Sequence, residues 1–129
     1  MQERMIDQAR TDLQILGATA VSANLVDITI KNTGTTKLAD FERWDVIIDY
    51  TSSALGDLVT WYPYGDWTRQ IYISAATSTY EELEPNILNP GEEMIINVSI
   101  SIPINPGSSN VAIISTPNGI AVSAPFAGP

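Results

Sequence analysis

The chain has 129 residues, a length that suits one domain with a sizeable hydrophobic core. It contains no cysteine and no histidine, which excludes a disulfide scaffold, a thiolate metal site and a serine–histidine triad. Its formal net charge of −9 makes nucleic-acid binding and adhesion to an anionic bilayer unfavourable. These properties argue against an enzyme, and we expect no catalytic residue, no metal site and no cofactor.

The first predicted element is a short helix over residues 1–12, in which Met1, Met5, Ile6 and Ala9 share one face. An isolated helix of this length is only marginally stable in water. We therefore interpret it as the remnant of a longer membrane helix whose apolar part is missing from this sequence. No run of the chain itself reaches the ~20 apolar residues that a membrane-spanning helix needs.

From residue 13 onward, apolar and polar side chains alternate with the period of β-strands. This alternation is clearest over residues 24–34, 43–50 and 92–103, each bounded by turn residues. The side chains predicted to face the core in these three strands are Val26, Ile28, Ile30, Trp44, Val46, Ile48, Tyr50, Ile96, Val98, Ile100 and Ile102.

Residues 60–73 hold five of the ten aromatic side chains of the protein. We interpret this segment as two strands on either side of a turn over residues 62–66, because Pro63 and Gly65 interrupt regular structure. One or two tryptophans are expected in the core, whereas a tyrosine beside the turn reaches solvent easily with its hydroxyl.

Three aromatic residues of this segment are candidate partner-binding residues, namely Tyr62, Tyr64 and Trp67. Tyr62 and Tyr64 are the better surface candidates, since they adjoin the turn. Tyrosine and tryptophan dominate the energetics of many protein interfaces. Flat aromatic rings also suit saccharides, so an alternative interpretation is a carbohydrate-binding or adhesion domain that uses these three residues together with Trp61.

The strand over residues 92–103 contains Asn97-Val98-Ser99, an acceptor pattern for N-glycosylation. The alternation places Asn97 on the outward face, where an oligosaccharide has access. Asn97 is therefore a possible glycosylation site, and the alternative is an ordinary outward-facing asparagine.

The last predicted element is a hairpin over residues 110–126 with Asn118-Gly119 at its tip, a pair typical of a type I′ turn. No charged side chain follows Glu93. Since exposed strand edges usually carry charges that block pairing, this charge-free region suggests a surface covered by another subunit. The alternative is a set of short strands whose Ser and Asn side chains face water. We therefore predict a homo-oligomer and choose Ile120 and Val122 as contact candidates.

About seven or eight short strands, without a helical pattern after residue 12, predict an all-β protein. The predicted fold is an immunoglobulin-like antiparallel β-sandwich over residues 13–129, with no second domain. A strand edge of such a sandwich can pair with a strand of another protein.

Four segments together resemble the extracellular domains of the archaeal flagellum (archaellum) stator proteins, FlaF and FlaG. Their shared elements are an Asn-x-Gly after the second strand, a Pro-Gly-Glu before a late strand and a terminal hairpin around Pro-Asn-Gly. The segments are VDITIKNTGTTKL, RWDVIIDY, LNPGEEMIINVSI and AIISTPNGIAVSA.

This resemblance implies a non-enzymatic anchoring component that holds the filament or motor to the cell envelope through protein–protein contacts. It also implies an N-terminal membrane helix, a domain on the outer side of the cytoplasmic membrane, a companion stator protein and contact with S-layer protein. Archaellins look similar, so a filament subunit of archaellin or pilin type is a further alternative.

Overall fold

The structure is a computed structural model that describes residues 12–74, 79–80 and 86–129. Residues 1–11, most of the predicted N-terminal helix, lie outside the described residues. Within the described ranges, no helix has the length and apolar character required to cross a membrane. The elements are β1 (Leu13–Ser22), β2 (Leu25–Asn32), a 3-10 helix (Phe41–Arg43), β3 (Asp45–Ser52), β4 (Gly56–Tyr62), β5 (Trp67–Ser74), β6 (Thr79–Tyr80), β7 (Glu93–Ser99), β8 (Ser109–Ser115) and β9 (Ala121–Ala127).

These strands form two antiparallel sheets, which confirms the predicted sandwich. The five-stranded sheet has the order β1-β2-β7-β5-β6, and the four-stranded sheet has the order β4-β3-β8-β9. The described residues thus contain nine strands, of which β6 has only two residues.

The core lies between the two sheets and follows from the alternation in the sequence. Val26, Ile28 and Ile30 of β2 are fully buried, as the period of two predicts. The other sheet contributes the predicted β3 side chains, and Ile96, Val98 and Ile100 are also buried. Ile102 is only partly buried, because β7 ends at Ser99 and the chain leaves the sheet before it.

The segment between β4 and β5 carries the chain from one sheet to the other, because β4 belongs to the four-stranded sheet and β5 to the five-stranded sheet. The backbone N–H of Asp66 donates to the carbonyl of Pro63 at 3.0 Å. Gly65 has φ 102°, a value that glycine adopts without steric cost. The predicted turn over residues 62–66 therefore connects two layers of the sandwich.

The hairpin of β8 and β9 is present, but its turn is not of type I′. Gly119 has φ 88°, and among the described residues Asp40 is the only non-glycine with positive φ, so Asn118 lacks the positive φ that type I′ requires. The backbone N–H of Gly119 donates to the carbonyl of Thr116 at 3.1 Å, which places Pro117 at the second turn position. Proline fixes φ near −65°, so this position excludes the mirror-image turn.

The two sheets have four outer edges, and three of them are protected. Strands β1 and β9 approach each other along one side of the sandwich. Pro125 lies within β9, and proline on an edge strand blocks pairing. The edge strand β6 is only two residues long. The fourth edge is β4, which in the described part of the chain pairs only with β3.

Candidate functional site

Strand β4, which pairs only with β3 in the described part of the chain, exposes two large apolar side chains. Asp57, Val59 and Trp61 alternate with Leu58 and Tyr62, whose side chains turn toward the core. Val59 is 71% exposed and Trp61 is 58% exposed. An exposed edge strand with apolar side chains is a template for pairing with another chain.

The apolar surface continues from β4 across the outer face of the four-stranded sheet. In the strand register, Ile47 of β3 lies opposite both Trp61 and Ile113, and all three share this face. In the next row, Asp49 lies opposite both Val59 and Val111. We call this region the β4 surface, and it consists of Val59, Trp61, Ile47, Val111 and Ile113.

A hydrogen bond fixes the most prominent side chain of the β4 surface. The indole Nε1 of Trp61 donates to Oδ1 of Asp45 at 2.8 Å, across the β3–β4 pair. A tryptophan held in one orientation loses little conformational entropy when it binds, which favours its use as an interface anchor.

The charged groups of this face are all acidic. Asp45 and Asp49 of β3 and Asp57 of β4 alternate with the apolar residues, and β3, β4, β8 and β9 contain no lysine or arginine. Oγ1 of Thr51 donates to the carboxylate of Asp57 at 2.8 Å. Among the described residues, no group of three or more metal-ligating side chains is placed to hold a metal ion.

Tyr62 lies in the core, which corrects its prediction as a surface residue. Its side chain is 7% exposed, because the alternation of β4 turns it inward and Pro63 ends the strand after it. Burial raises the pKa of Tyr62 to about 12, and the charges of Tyr50 and Asp66 contribute in the same direction. Tyr62 thus has little surface to offer a partner.

Trp67 is also buried, at 4% exposure, whereas Tyr64 is 48% exposed. The Tyr64 ring meets Trp67 edge-on, with ring centroids 5.7 Å apart. The guanidinium of Arg69 lies 4.4 Å from the ring centroid of Phe41 and 5.8 Å from that of Tyr64. Tyr64 therefore remains a candidate contact residue.

The four aromatic rings of the proposed sugar platform do not share one surface. Trp61 and Tyr62 point to opposite faces of β4, and Trp67 is in the core. Only Trp61 and Tyr64 are exposed, so a platform of all four rings is not formed.

The hairpin candidates Ile120 and Val122 are both partly buried. Val122 packs against the hydrophobic core, so a substitution there would disturb folding as well as any contact. Ala121, between them, is exposed and is a better position for testing this surface. The structure does not bring Ile120 or Val122 onto the same strand as the aromatic candidates.

Asn97 lies in β7, the middle strand of the five-stranded sheet, and is partly buried. Its Nδ2 donates to Oδ1 of Asp27 on β2. A glycan at Asn97 would have to replace this hydrogen bond, and glycosylation of this residue stays a prediction.

The sequence signal for the β4 surface is ambiguous. Residues 57–62 alternate, but the set that faces solvent includes Val59 and Trp61, while the inward set includes Thr60. Each of the two alternating sets holds one polar side chain and two apolar or aromatic ones, so the pattern alone does not decide which face is buried. Sequence reasoning therefore missed the β4 surface, because alternation in this strand does not distinguish its outer side from its inner side.

Comparisons with known proteins give a consistent result. The family model described as "Conserved flagellar protein F, immunoglobulin-like domain" matches residues 10–123. No curated protein matches the chain significantly. The archaellum periplasmic stator protein FlaG from Sulfolobus acidocaldarius is similar in structure, with a TM-score of 0.67 and 26% identity, over 90% of this chain and 99% of that chain.

Two further solved structures are similar to this chain. A chain of the archaellum periplasmic stator protein complex FlaF and FlaG, also from Sulfolobus acidocaldarius, has a TM-score of 0.64 and 26% identity, covering 88% of this chain and 87% of that chain. The archaeal flagellum of Methanospirillum hungatei strain JF1 has a TM-score of 0.63 and 14% identity, covering 98% of this chain and 73% of that chain. At that identity the likeness concerns the fold alone.

Proposed function

Because the chain belongs to the family of the FlaF immunoglobulin-like domain, we propose that it is a structural, stator-like component of the archaellum. In this proposal it anchors the filament or motor to the cell envelope through protein–protein contacts. The observation that carries the proposal is the family match over residues 10–123, together with an exposed apolar surface beside an open strand edge.

The β4 surface supports a role in protein contacts. An added strand would satisfy the main-chain groups on the free side of β4, and apolar side chains there would lose contact with water. Trp61 is already oriented by its hydrogen bond to Asp45. We propose that this surface binds a companion stator protein, as the similarity to the FlaF and FlaG complex suggests.

We place the domain on the outer side of the archaeal cytoplasmic membrane. The similar FlaG of Sulfolobus acidocaldarius is described as periplasmic, which supports this location. The proposal includes an N-terminal membrane helix as anchor and S-layer protein as a further partner. Fractionation of cells tests the location: the chain should sediment with envelope membranes, and recovery in the cytosolic fraction would contradict the proposal.

A chromosomal substitution tests the anchoring role. In cells that carry Val59→Lys, a charge on the β4 surface should prevent docking, so swimming should be lost while filaments are still assembled. Val21→Lys is the matched control, because Val21 of β1 is 55% exposed on the other sheet. Normal swimming of the Val59→Lys cells would contradict docking at this surface, and loss of filaments would instead support a filament subunit.

Self-association is a separate part of the proposal, and the charge-free hairpin is its candidate surface. Because Val122 packs on the core, Ala121→Lys is the informative substitution. Analytical ultracentrifugation should show an oligomer of the wild-type chain and a smaller species for Ala121→Lys. A wild-type chain that stays monomeric at every concentration would exclude a homo-oligomer of this domain.

A further inference from the structure

We propose that the β4 surface accepts a strand of a non-identical protein that presents lysine or arginine, and that it does not accept a second copy of this chain. This inference rests on the proposed function, since it specifies the partner of the same surface. It follows from the position of three carboxylates among the apolar side chains of the four-stranded sheet.

The decisive group is Asp49, which lies between two apolar neighbours at the middle of the face. Its register partners are Val59 on β4 and Val111 on β8. Asp49 is exposed, and its carboxylate accepts no hydrogen bond from the described residues. A partner that covers the two valines also removes water from this carboxylate. An unpaired carboxylate out of water is costly, so the partner must supply a cation.

A second copy of the chain cannot supply that cation from the same surface. Strands β3, β4, β8 and β9 carry Asp45, Asp49 and Asp57 but no lysine or arginine. If two β4 strands paired about a two-fold axis at Val59, Asp57 would lie opposite Trp61 of the other copy. The indole of Trp61 is bonded to Asp45, so this pairing brings carboxylates of both copies together. Like charges brought near each other with no cation between them oppose association.

A strand added to β4 places basic side chains within reach of two carboxylates. A residue of the added strand opposite Asp57 lies about 5 Å away, one strand spacing. Asp49 lies on β3, about 10 Å from the added strand, a distance that a long lysine or arginine side chain covers when it extends over Val59. Apolar residues of the same added strand would then continue the row of Trp61, Ile47 and Ile113.

Two synthetic peptides of about nine residues, a common strand length, test the proposal. Both have blocked ends and alternate Val and Thr with one charged residue type, which is Lys in one peptide and Glu in the other. Fluorescence of the full chain reports binding at Trp61, since Trp44 and Trp67 are buried. The Lys peptide should bind at least about tenfold more tightly than the Glu peptide, and its affinity should fall as salt rises.

Substitutions connect the binding to the named carboxylates. The double variant Asp49→Asn, Asp57→Asn should weaken binding of the Lys peptide about tenfold and remove most of its salt dependence. Asp66→Asn, in the exposed turn before β5, is the matched control and should bind normally. Equal binding of both peptides, failure of the Lys peptide to bind, or an unaffected double variant would overturn the inference.

The oligomeric state gives an independent outcome. A wild-type dimer that dissociates on Val59→Lys but persists in Val21→Lys would show that a second copy occupies the β4 surface, which also overturns the inference. The proposed anchoring function is measured separately by swimming of the Val59→Lys cells. Loss of swimming without any charge preference in the peptides would leave the function supported and reject the partner chemistry.

Discussion

The two long sides of the sandwich end in different ways. On one side, β1 and β9 approach each other, β1 carries two irregularities of register, and β9 contains Pro125. On the other side, β4 is a regular seven-residue strand that in the described part of the chain pairs only with β3 and exposes Val59 and Trp61.

The difference shows that the side formed by β1 and β9, the closed side, carries features that block strand pairing. Strand β4, on the open side, lacks those features. Proline, bulges and very short strands are common means of blocking an edge. None of these means is present in β4, where an exposed tryptophan is instead held in place by a hydrogen bond. We therefore expect substitutions on the closed side to change folding, and substitutions on the open side to change binding.

The largest expected effect is on the closed side. Phe126→Ala in β9 removes a buried aromatic ring from the core, which should lower the free energy of unfolding by about 3–5 kcal/mol. Urea denaturation followed by circular dichroism measures the loss. A change below about 1 kcal/mol would mean that β9 is not fastened to the core as the structure indicates.

Alkaline pH probes the inward side of β4. Burial raises the pKa of Tyr62 to about 12 and also raises that of Tyr50. Between pH 10 and 12 the folded chain therefore holds more phenolic protons than the unfolded chain, so the free energy of unfolding should fall as pH rises through this window. Below pH 10 these residues should cause no such slope.

Denaturation at several pH values checks this expectation, with an effect on the order of 1 kcal/mol. Tyr62→Phe should flatten the slope, and Tyr64→Phe serves as control because Tyr64 is exposed. A slope that is unchanged in Tyr62→Phe would assign the pH dependence to other groups.

On the open side, Val59→Lys should change the free energy of unfolding by no more than about 0.5 kcal/mol, since the side chain is mostly in water. The measurement is the same denaturation experiment, with Val21→Lys beside it. A loss of several kcal/mol would show that Val59 contributes to the fold, and the binding phenotype of this variant would then need another explanation.

The smallest expected effect concerns the blocked edge. Pro125→Thr restores an N–H to β9, but β1 lies alongside, so the mass of the chain in solution should not change. Sedimentation velocity over a range of concentrations is the measurement. If Pro125→Thr forms a new dimer, Pro125 is the feature that prevents pairing at this edge. The neighbouring strand β1 is then not sufficient to prevent it.

Much of the fold could be predicted from the sequence, because burial in a sheet imposes a period of two on side chains. Val26, Ile28 and Ile30 show this period without interruption, and all are buried. The turn around Pro63 and Gly65 was also predictable from backbone chemistry. Periodicity identifies which residues share one face of a strand. It does not identify which strands are neighbours in a sheet.

The candidate site depended on that missing information. β4 and β5 flank one turn, yet they belong to different sheets, and this leaves β4 as an edge. Tyr62 adjoins the turn but points inward, whereas Trp61 points outward. Both orientations satisfy the local pattern, and only the positions of β3 and the core decide between them.

The long pairing of β1 with β2 has a mechanical consequence. β1 runs for ten residues and is bonded to β2 along nearly its whole length, on the side of the sandwich away from β4. A tension applied at Leu13 along the strand direction puts these bonds in shear, where they resist together and do not open one after another. Such a tension, if balanced by a protein held at β4, would be transmitted through both layers of the domain.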